Sequence, residues 1–510
     1  MPEREEKAFL VSGVTIPVVE LLSELQEKRQ RTVDRTELRQ GILARVYDRI
    51  DSDFPKHLER CRAFLRQKSV SATGDGIRET AQQVKSFIEE IGGNAAFWGN
   101  PAFPIVWGRV KGESDRTLII YGMYDVQPAD EPNWMSPPFE AAIHTLPHIG
   151  ECVIARGAYN SKGVLCGLFN SLKTLVETDK IPVNLIFVIE GEEEVGSLQI
   201  EEFIRTHRDE LKADAAADFD FSQDSRGRVR MHLGLKGIVY MDLICRGGKK
   251  GGPAETSLHG ADSAWLSSPA WRLVHALSSL TDSEENIIIR GFCDNVAPPS
   301  AQDMESLEKL KTSFDEKVFL KEMRGICFKC NRQGIDLLVK GLYSPIININ
   351  GFRTGYDGPG TKTLLPRKAT AKVDIRFGPK MEPEEVVEKF KAHLFSTGFD
   401  DIEVRVRDSY TWSKTDVSES VVQDMLAAYR SLDVEPEVWP IATWTAPYFV
   451  FSRILGLPVV GGGLGHGGRA HAANEYMTVS GLRDFEKFVV TFLHLAAASQ
   501  KGVAATPNGS

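Results

Sequence analysis

Two short apolar runs rich in β-prone residues, Thr117–Tyr121 and Val183–Ile189, enclose a segment, Lys162–Glu177, that reads as a helix entered through Asn160 and Ser161. Strand, helix and strand in that order imply an α/β layer with a mainly parallel sheet flanked by helices. In such sheets, sites form where strands deliver the chain at their carboxyl ends. The first run leads into Asp125, and the second into Glu190-Gly-Glu-Glu-Glu194.

Further helices are expected over Leu43–Arg66 and Ile77–Ile91. After Gly237 the texture changes. A strand over Ile238–Cys245, a helix over Trp265–Leu280, a strand over Lys372–Phe377, a helix over Glu382–Leu394 and a strand over Ile402–Arg407 suit a small open-faced α+β unit of ferredoxin-like type. Beyond Thr411 the first style returns, with a helix over Val421–Tyr429, a strand over Pro458–Val460 and a closing helix over Gly481–His494. The expected organisation is an N-terminal extension, 1–40, then a catalytic domain in two pieces, 41–236 and 411–510, with a smaller domain, 237–410, inserted between them.

The 510 residues allow about three domain-sized units. Lysine plus arginine is 61 against 70 aspartate plus glutamate, so the chain carries −9, which argues against a nucleic-acid groove. No apolar run reaches the ~20 residues that span a bilayer, and the N-terminus does not read as a signal peptide. Seven scattered cysteines suit a reducing compartment, hence the cytoplasm. Cys327 and Cys330 form a lone CxxC, read as ordinary thiols rather than half a zinc site.

Four local features carry chemistry. Glu190–Gly196 holds four carboxylates in five residues, which is either a solvated acidic loop or a metal ligand beside a general base. Gly465–Glu475 holds two histidines, His466 and His471, in a glycine-rich loop. Asp125 follows the first strand and could merely cap a turn; Asn160 precedes a helix and could merely cap it. His144, His148, His232 and His466 read as surface residues, with replacement of a missing metal-ligand histidine as the alternative, and Lys249-Lys250 reads as a turn.

Taken in order, YDVQP at 124–128, NWMSPPFE at 133–140, RGA at 156–158, SKG at 161–163, EGEEEVGS at 190–197, GLKG at 234–237, GPGTKTLLPRKA at 358–369, IRFGP at 375–379 and AHAANE at 470–475 resemble the zinc-dependent exopeptidases. That family includes aminoacylases, glutamate carboxypeptidases and carnosine-type dipeptidases, and the dipeptidase branch is the nearest. The resemblance implies two metal ions, a glutamate that takes a proton from a metal-bound water, and an inserted domain that serves as lid and dimer interface. Carried over, Glu193 falls on the general base, Glu194 and His471 on ligands of one metal, and Asp125 on the aspartate that orients a ligand histidine. Asp224 falls on the carboxylate of the other metal, with Asp220 as its rival in DFDFSQDS. His259 falls near a histidine that reaches into the partner's site, and Arg376 and Thr363 on substrate-holding residues.

Two metal positions depart from the family. Its ligand histidine is here Met123 and its bridging aspartate is Asn160. A thioether suits copper(I) better than zinc, and a neutral amide bridges two cations badly. Glu194, His471 and Asn160 therefore suggest one divalent ion, zinc or manganese, in place of two. Trp444 stands where the dipeptidase branch has a glycine-rich loop, which is either a plain surface or core tryptophan or a pocket reshaped for an aromatic or acyl group. The leading expectation is a homodimeric hydrolase of amide bonds in a small acyl-amino-acid-like or aromatic substrate, Glu193 acting on a metal-bound water. The alternatives are a metal-independent lyase, isomerase or transferase that uses Glu193 as base, and a ligand-binding pseudoenzyme.

Overall fold

A computed structural model describes residues 8–11, 14–248 and 250–499. Lys249, half of the expected Lys249-Lys250 turn, lies outside them. The larger sheet has six strands in the order 459–462, 215–219, 117–123, 184–190, 105–110, 94–98. The first four run parallel, and the last two join antiparallel. Strand Asn184–Glu190 is buried almost throughout, as a strand covered on both faces must be.

Helices Lys162–Thr178, Ser420–Ser431 and Val479–Ala498, with part of the helix Val18–Arg66, cover one face through a large core that includes Phe169, Phe187, Phe485 and Phe488. On the other face Phe203, Tyr448 and Phe451 pack over Ile119 and Val188. The first helix was expected from Leu43 and begins at Val18. Its buried positions, Val46, Ile50, Phe54, Cys61 and Leu65, carry the spacing that made its second half legible.

Strands 346–354, 368–377, 237–246 and 403–410 form a second, antiparallel sheet in that order. In chain order these are strands two, three, one and four. Helices Pro269–Ser278 and Pro383–Ser396 lie in the first and third connections, which is the ferredoxin-like pattern, and their apolar residues share one core with the sheet. The helix expected over Trp265–Leu280 is shorter. Pro269 sits at its first turn, where a missing N–H costs nothing, and Trp265 before it is 87% exposed. Three helices that sequence reasoning left unassigned, Ala301–Ser313, Glu316–Glu322 and Gly334–Tyr343, occupy the first connection. The outer two pack Leu307, Leu310, Leu338 and Leu342 against Trp439 and Ile441, tying this segment to the last part of the chain.

The register of the larger sheet positions the site. Met123 lies opposite Glu190, Tyr121 opposite Asp218, and Gly462 opposite Phe219. Four strands therefore end along one edge, and four distant turns meet there.

Candidate active site

A cavity of about 770 Å³ opens at that edge. Met123, Asn160, Glu193, Glu194 and His471 all line it, joined by Asp218, Asp220, Arg230, His232 and Trp444.

The acidic turn follows from the end of strand Asn184–Glu190. Asp125, wholly buried, accepts the backbone N–H groups of Glu193 and Glu194 at 3.2 and 3.0 Å. Burial lifts its carboxyl to about 7, against the hydrogen bonds from Ser71 and the turn. Asp125 was expected to orient a ligand histidine. With Met123 in that place it holds the acidic turn instead, because the two backbone donors are what its oxygens meet. Glu190 points away from the cavity edge into the core, held by Tyr121 at 2.6 Å and Ser197 at 3.0 Å, and burial raises it to about 8.

Glu194 is the centre of a compact corner. Asn160 Nδ2 donates to its Oε1 at 2.8 Å, Gln127 Nε2 donates to its Oε2 at 2.9 Å, and His471 Nε2 lies 3.1 Å from Oε1. Asn160 Nδ2 and His471 Nε2 are 3.0 Å apart. The hydrogen bond with Glu194 raises the imidazole pKa of His471 above its ordinary value, against the effect of its partial burial. His471 occupies a left-handed backbone position, φ 58°, as do Arg469 and Asn474, so its loop is held in a form that non-glycine residues adopt at a cost.

The other side of the corner is fixed by Glu475, which accepts the backbone N–H groups of Tyr159 and Asn160 at 3.0 and 2.8 Å and pairs with buried Arg156 at 2.8 Å. Sequence reasoning quoted both residues in landmarks without giving either a role. A buried arginine beside a buried glutamate is a paired charge, and that pairing was the signal available.

Glu193 faces the same cavity, and no described side chain donates to its carboxylate. Burial, then Glu194 and Glu190, push its pKa well above the ordinary value. Asp218 and Asp220 lie across from it on the strand Ala215–Phe219 and its end. Tyr448 donates to Asp218 Oδ2 at 2.8 Å and Ser222 donates to Asp220; burial raises the two carboxyls to about 8 and about 6. Asp218 and Tyr448 carried no motif, and only the topology brings them to the site.

Asp224 requires correction. It reaches the cavity margin, but its carboxylate takes the backbone N–H groups of Arg226 and Arg228 and pairs with the Arg228 guanidinium at 2.9 Å. It belongs to an arginine cluster and not to the corner formed by Glu194. His232 and His466, expected at the surface, also line the cavity. His466 is bonded to Gln223 O and Tyr476. His232 is held down to about 4 by desolvation and then by Arg230.

The remaining candidates lie elsewhere. His259 and Thr363 are exposed and hydrogen-bonded to each other at 3.0 Å, away from the cavity lining of this chain. Arg376 bonds Asp374 and the carbonyl of Thr443, next to Trp444. Trp444 itself lines the cavity and is 40% exposed. Cys327 and Cys330 are exposed and form no disulfide.

The conventional donors at the corner are few. Among the described residues no group of three from His, Cys, Asp and Glu is placed to hold a metal. Glu194 and His471 supply two conventional donors, and the Asn160 amide is the third group at the corner. At a second position Met123 offers only sulfur, and of its two candidate carboxylates Asp224 is engaged by arginine while Asp220 meets Ser222.

Comparison with known proteins gives one answer at three levels. The model for "Peptidase family M20/M25/M40" matches residues 119–498. Beta-Ala-His dipeptidase of Mus musculus is 27% identical over 357 residues, 68% of this chain and 68% of that protein. Cys-Gly metallodipeptidase DUG1 of Candida albicans is 24% identical over 478 residues, 88% of this chain and 96% of that protein. Among solved structures, the M20 family metallo-carboxypeptidase Sso-CP2 from Sulfolobus solfataricus superposes with a TM-score of 0.79 at 31% identity, covering 86% of this chain and 99% of that one.

Proposed function

The chain belongs to peptidase family M20/M25/M40, and from that premise we propose that it hydrolyses the amide bond of a small peptide-like substrate with Glu193 as general base beside a single divalent ion. As a member of the family it is a hydrolase of the metallopeptidase type. The observation that carries the finer reading is one cavity that holds Glu193, free of hydrogen-bonding side chains, next to the converging Glu194, His471 and Asn160.

Glu194 and His471, with the Asn160 amide, would hold a divalent ion, zinc or manganese, which would supply positive charge next to the scissile carbonyl. The chain does the rest. Glu193 accepts a proton from the attacking water and returns it to the leaving amine. Asp125 fixes the turn that aims Glu193 and Glu194. Glu475 fixes the backbone of Asn160 from the opposite side. The relatives named for β-Ala-His and Cys-Gly dipeptides favour a dipeptide-sized substrate; Trp444 at the mouth favours an aromatic or acyl group over a bare terminus.

Residues 237–410 serve in this reading as lid and homodimer interface. Their edge strand exposes Ile346, Ile349 and Phe352, and Trp271 is 66% exposed. His259 and Thr363 are then available to a second copy's cavity. Free thiols and the absence, among described residues, of a helix fit to cross a membrane favour the cytoplasm.

The test is elemental analysis of freshly purified protein, with assays on Cys-Gly, β-Ala-His and N-acyl aromatic amino acids before and after chelation. About one divalent ion per chain and activity lost on chelation are expected. Full hydrolysis by metal-free protein overturns the reading. Met123 and Asn160 favour a second reading, a metal-independent lyase, isomerase or transferase; its mark is activity that survives chelation yet collapses in Glu193→Gln. Tight binding without turnover marks a pseudoenzyme.

A further inference from the structure

We infer that Asp218 is a specificity-determining residue: with Tyr448, Trp444 and His232 it forms a subsite for a positively charged amine carried by the substrate. The inference rests on the hydrolase reading only in taking this cavity as the substrate site.

Asp218 and Asp220 line the cavity together with Glu193. The Oδ2 of Asp218 is held by the Tyr448 hydroxyl at 2.8 Å, and no described side chain donates to its other oxygen. Tyr448 is itself packed edge-on against Tyr121 and Trp444, with ring centroids 6.4 and 6.3 Å away. A recessed carboxylate beside aromatic rings matches an ammonium group twice, through charge and through the ring quadrupoles.

The charge count points the same way. Glu193, Glu194, Asp218 and Asp220 all line the cavity. His471 and an ion at the corner answer Glu194. Arg230 also lines the cavity, but it is directed toward Asp224 and Glu437, at 3.8 and 3.9 Å, and its guanidinium lies over the Phe319 ring. No described cationic side chain pairs with Asp218, so its buried carboxyl keeps its proton up to about 8, and an ammonium group from outside is the partner that lets it ionise.

His232 supplies the second observation. It lines the same wall, edge-on to Trp444 at 5.9 Å, and its ring nitrogens meet no described hydrogen-bond partner. Desolvation and Arg230 keep it neutral, so it offers an acceptor without adding a competing positive charge.

Calorimetric titration of the purified chain at about pH 9, where Asp218 is ionised and the amine still largely charged, with phenethylammonium chloride and with its uncharged analogue 2-phenylethanol tests this. The native protein should bind the amine at least about tenfold more tightly than the alcohol. Asp218→Asn should erase that preference, and Trp444→Ala, altered at a half-exposed site, should weaken both probes, the amine by about threefold more than the alcohol. If Asp218→Asn does not fold, Tyr448→Phe takes its place and should lower the preference. Equal binding of both probes by the native protein, or an unchanged preference in the Asp218 and Tyr448 variants, overturns the subsite. Binding is read without turnover, so the two failures separate. A chain that hydrolyses amides but shows no preference sinks only the subsite, and one with the preference but no hydrolysis sinks only the hydrolase reading.

Discussion

The two walls of the cavity are built by opposite means. The corner at Glu194 comes from turns whose residues are neighbours in sequence: Glu193 with Glu194, His471 with Glu475, Asn160 with the helix it precedes. The opposing wall is assembled from single residues, Asp218, His232, Trp444 and Tyr448, that only the sheet and the last third of the chain bring together. In the reading proposed above, the corner carries the general base and the ion donors. The wall carries side chains for which no family role was apparent. Chemistry and specificity are thus separable here, and each can be altered alone.

The largest effect should come from the corner. Glu193→Gln should lower kcat by about 10²- to 10⁴-fold with the ion retained, whereas Asp218→Asn should act mainly on KM for amine-bearing substrates. Steady-state kinetics with metal analysis reads both, and equal kcat losses in the two variants would break the separation.

Next is the support of the corner. Arg156→Ala leaves Glu475 buried without its cation and should cost about 3–5 kcal/mol in urea unfolding. Loss of bound metal should accompany it, because Glu475 also holds the Asn160 backbone.

A pH effect should distinguish the wall. The unfolded Asp218 carboxyl ionises near 3.8 and the folded one near 8, so between those values the folded state holds a proton that the unfolded chain has released. This group therefore weakens the fold as pH rises through that window. Asp218→Asn should remove the effect, gaining on the native protein by about 5 kcal/mol between pH 4 and 8 in denaturant titrations. A constant difference across the window would remove Asp218 from the buried wall.

The smallest change expected is stoichiometric. Met123→His with Asn160→Asp should raise the metal content from about one toward two ions per chain, as read by elemental analysis. An unchanged content would show that these positions do not face a second ion.

Much of the fold was legible. Strands Thr117–Met123 and Asn184–Glu190 and helices Ile77–Glu90 and Lys162–Thr178 lie within a residue or two of their expected bounds, because burial on both faces or on one stripe writes itself into local apolar spacing. The helices between 301 and 343 were not assigned, because few of their residues are buried and their apolar face answers to distant Trp439. Trp265 was drawn into a helix because its apolar character fitted the period, while Pro269 set the true start.

The sequence by itself determined the strand ends, the acidic turn and the histidine loop, and with them the family, because each is a run of adjacent residues whose order survives in the chain. Only the tertiary structure gave Asp224 and Asp220 different surroundings. Spacing places both just past the same strand and both line the cavity, but nearby arginines claim Asp224 while Ser222 meets Asp220, and a carboxylate's behaviour is set by the groups that surround it in space.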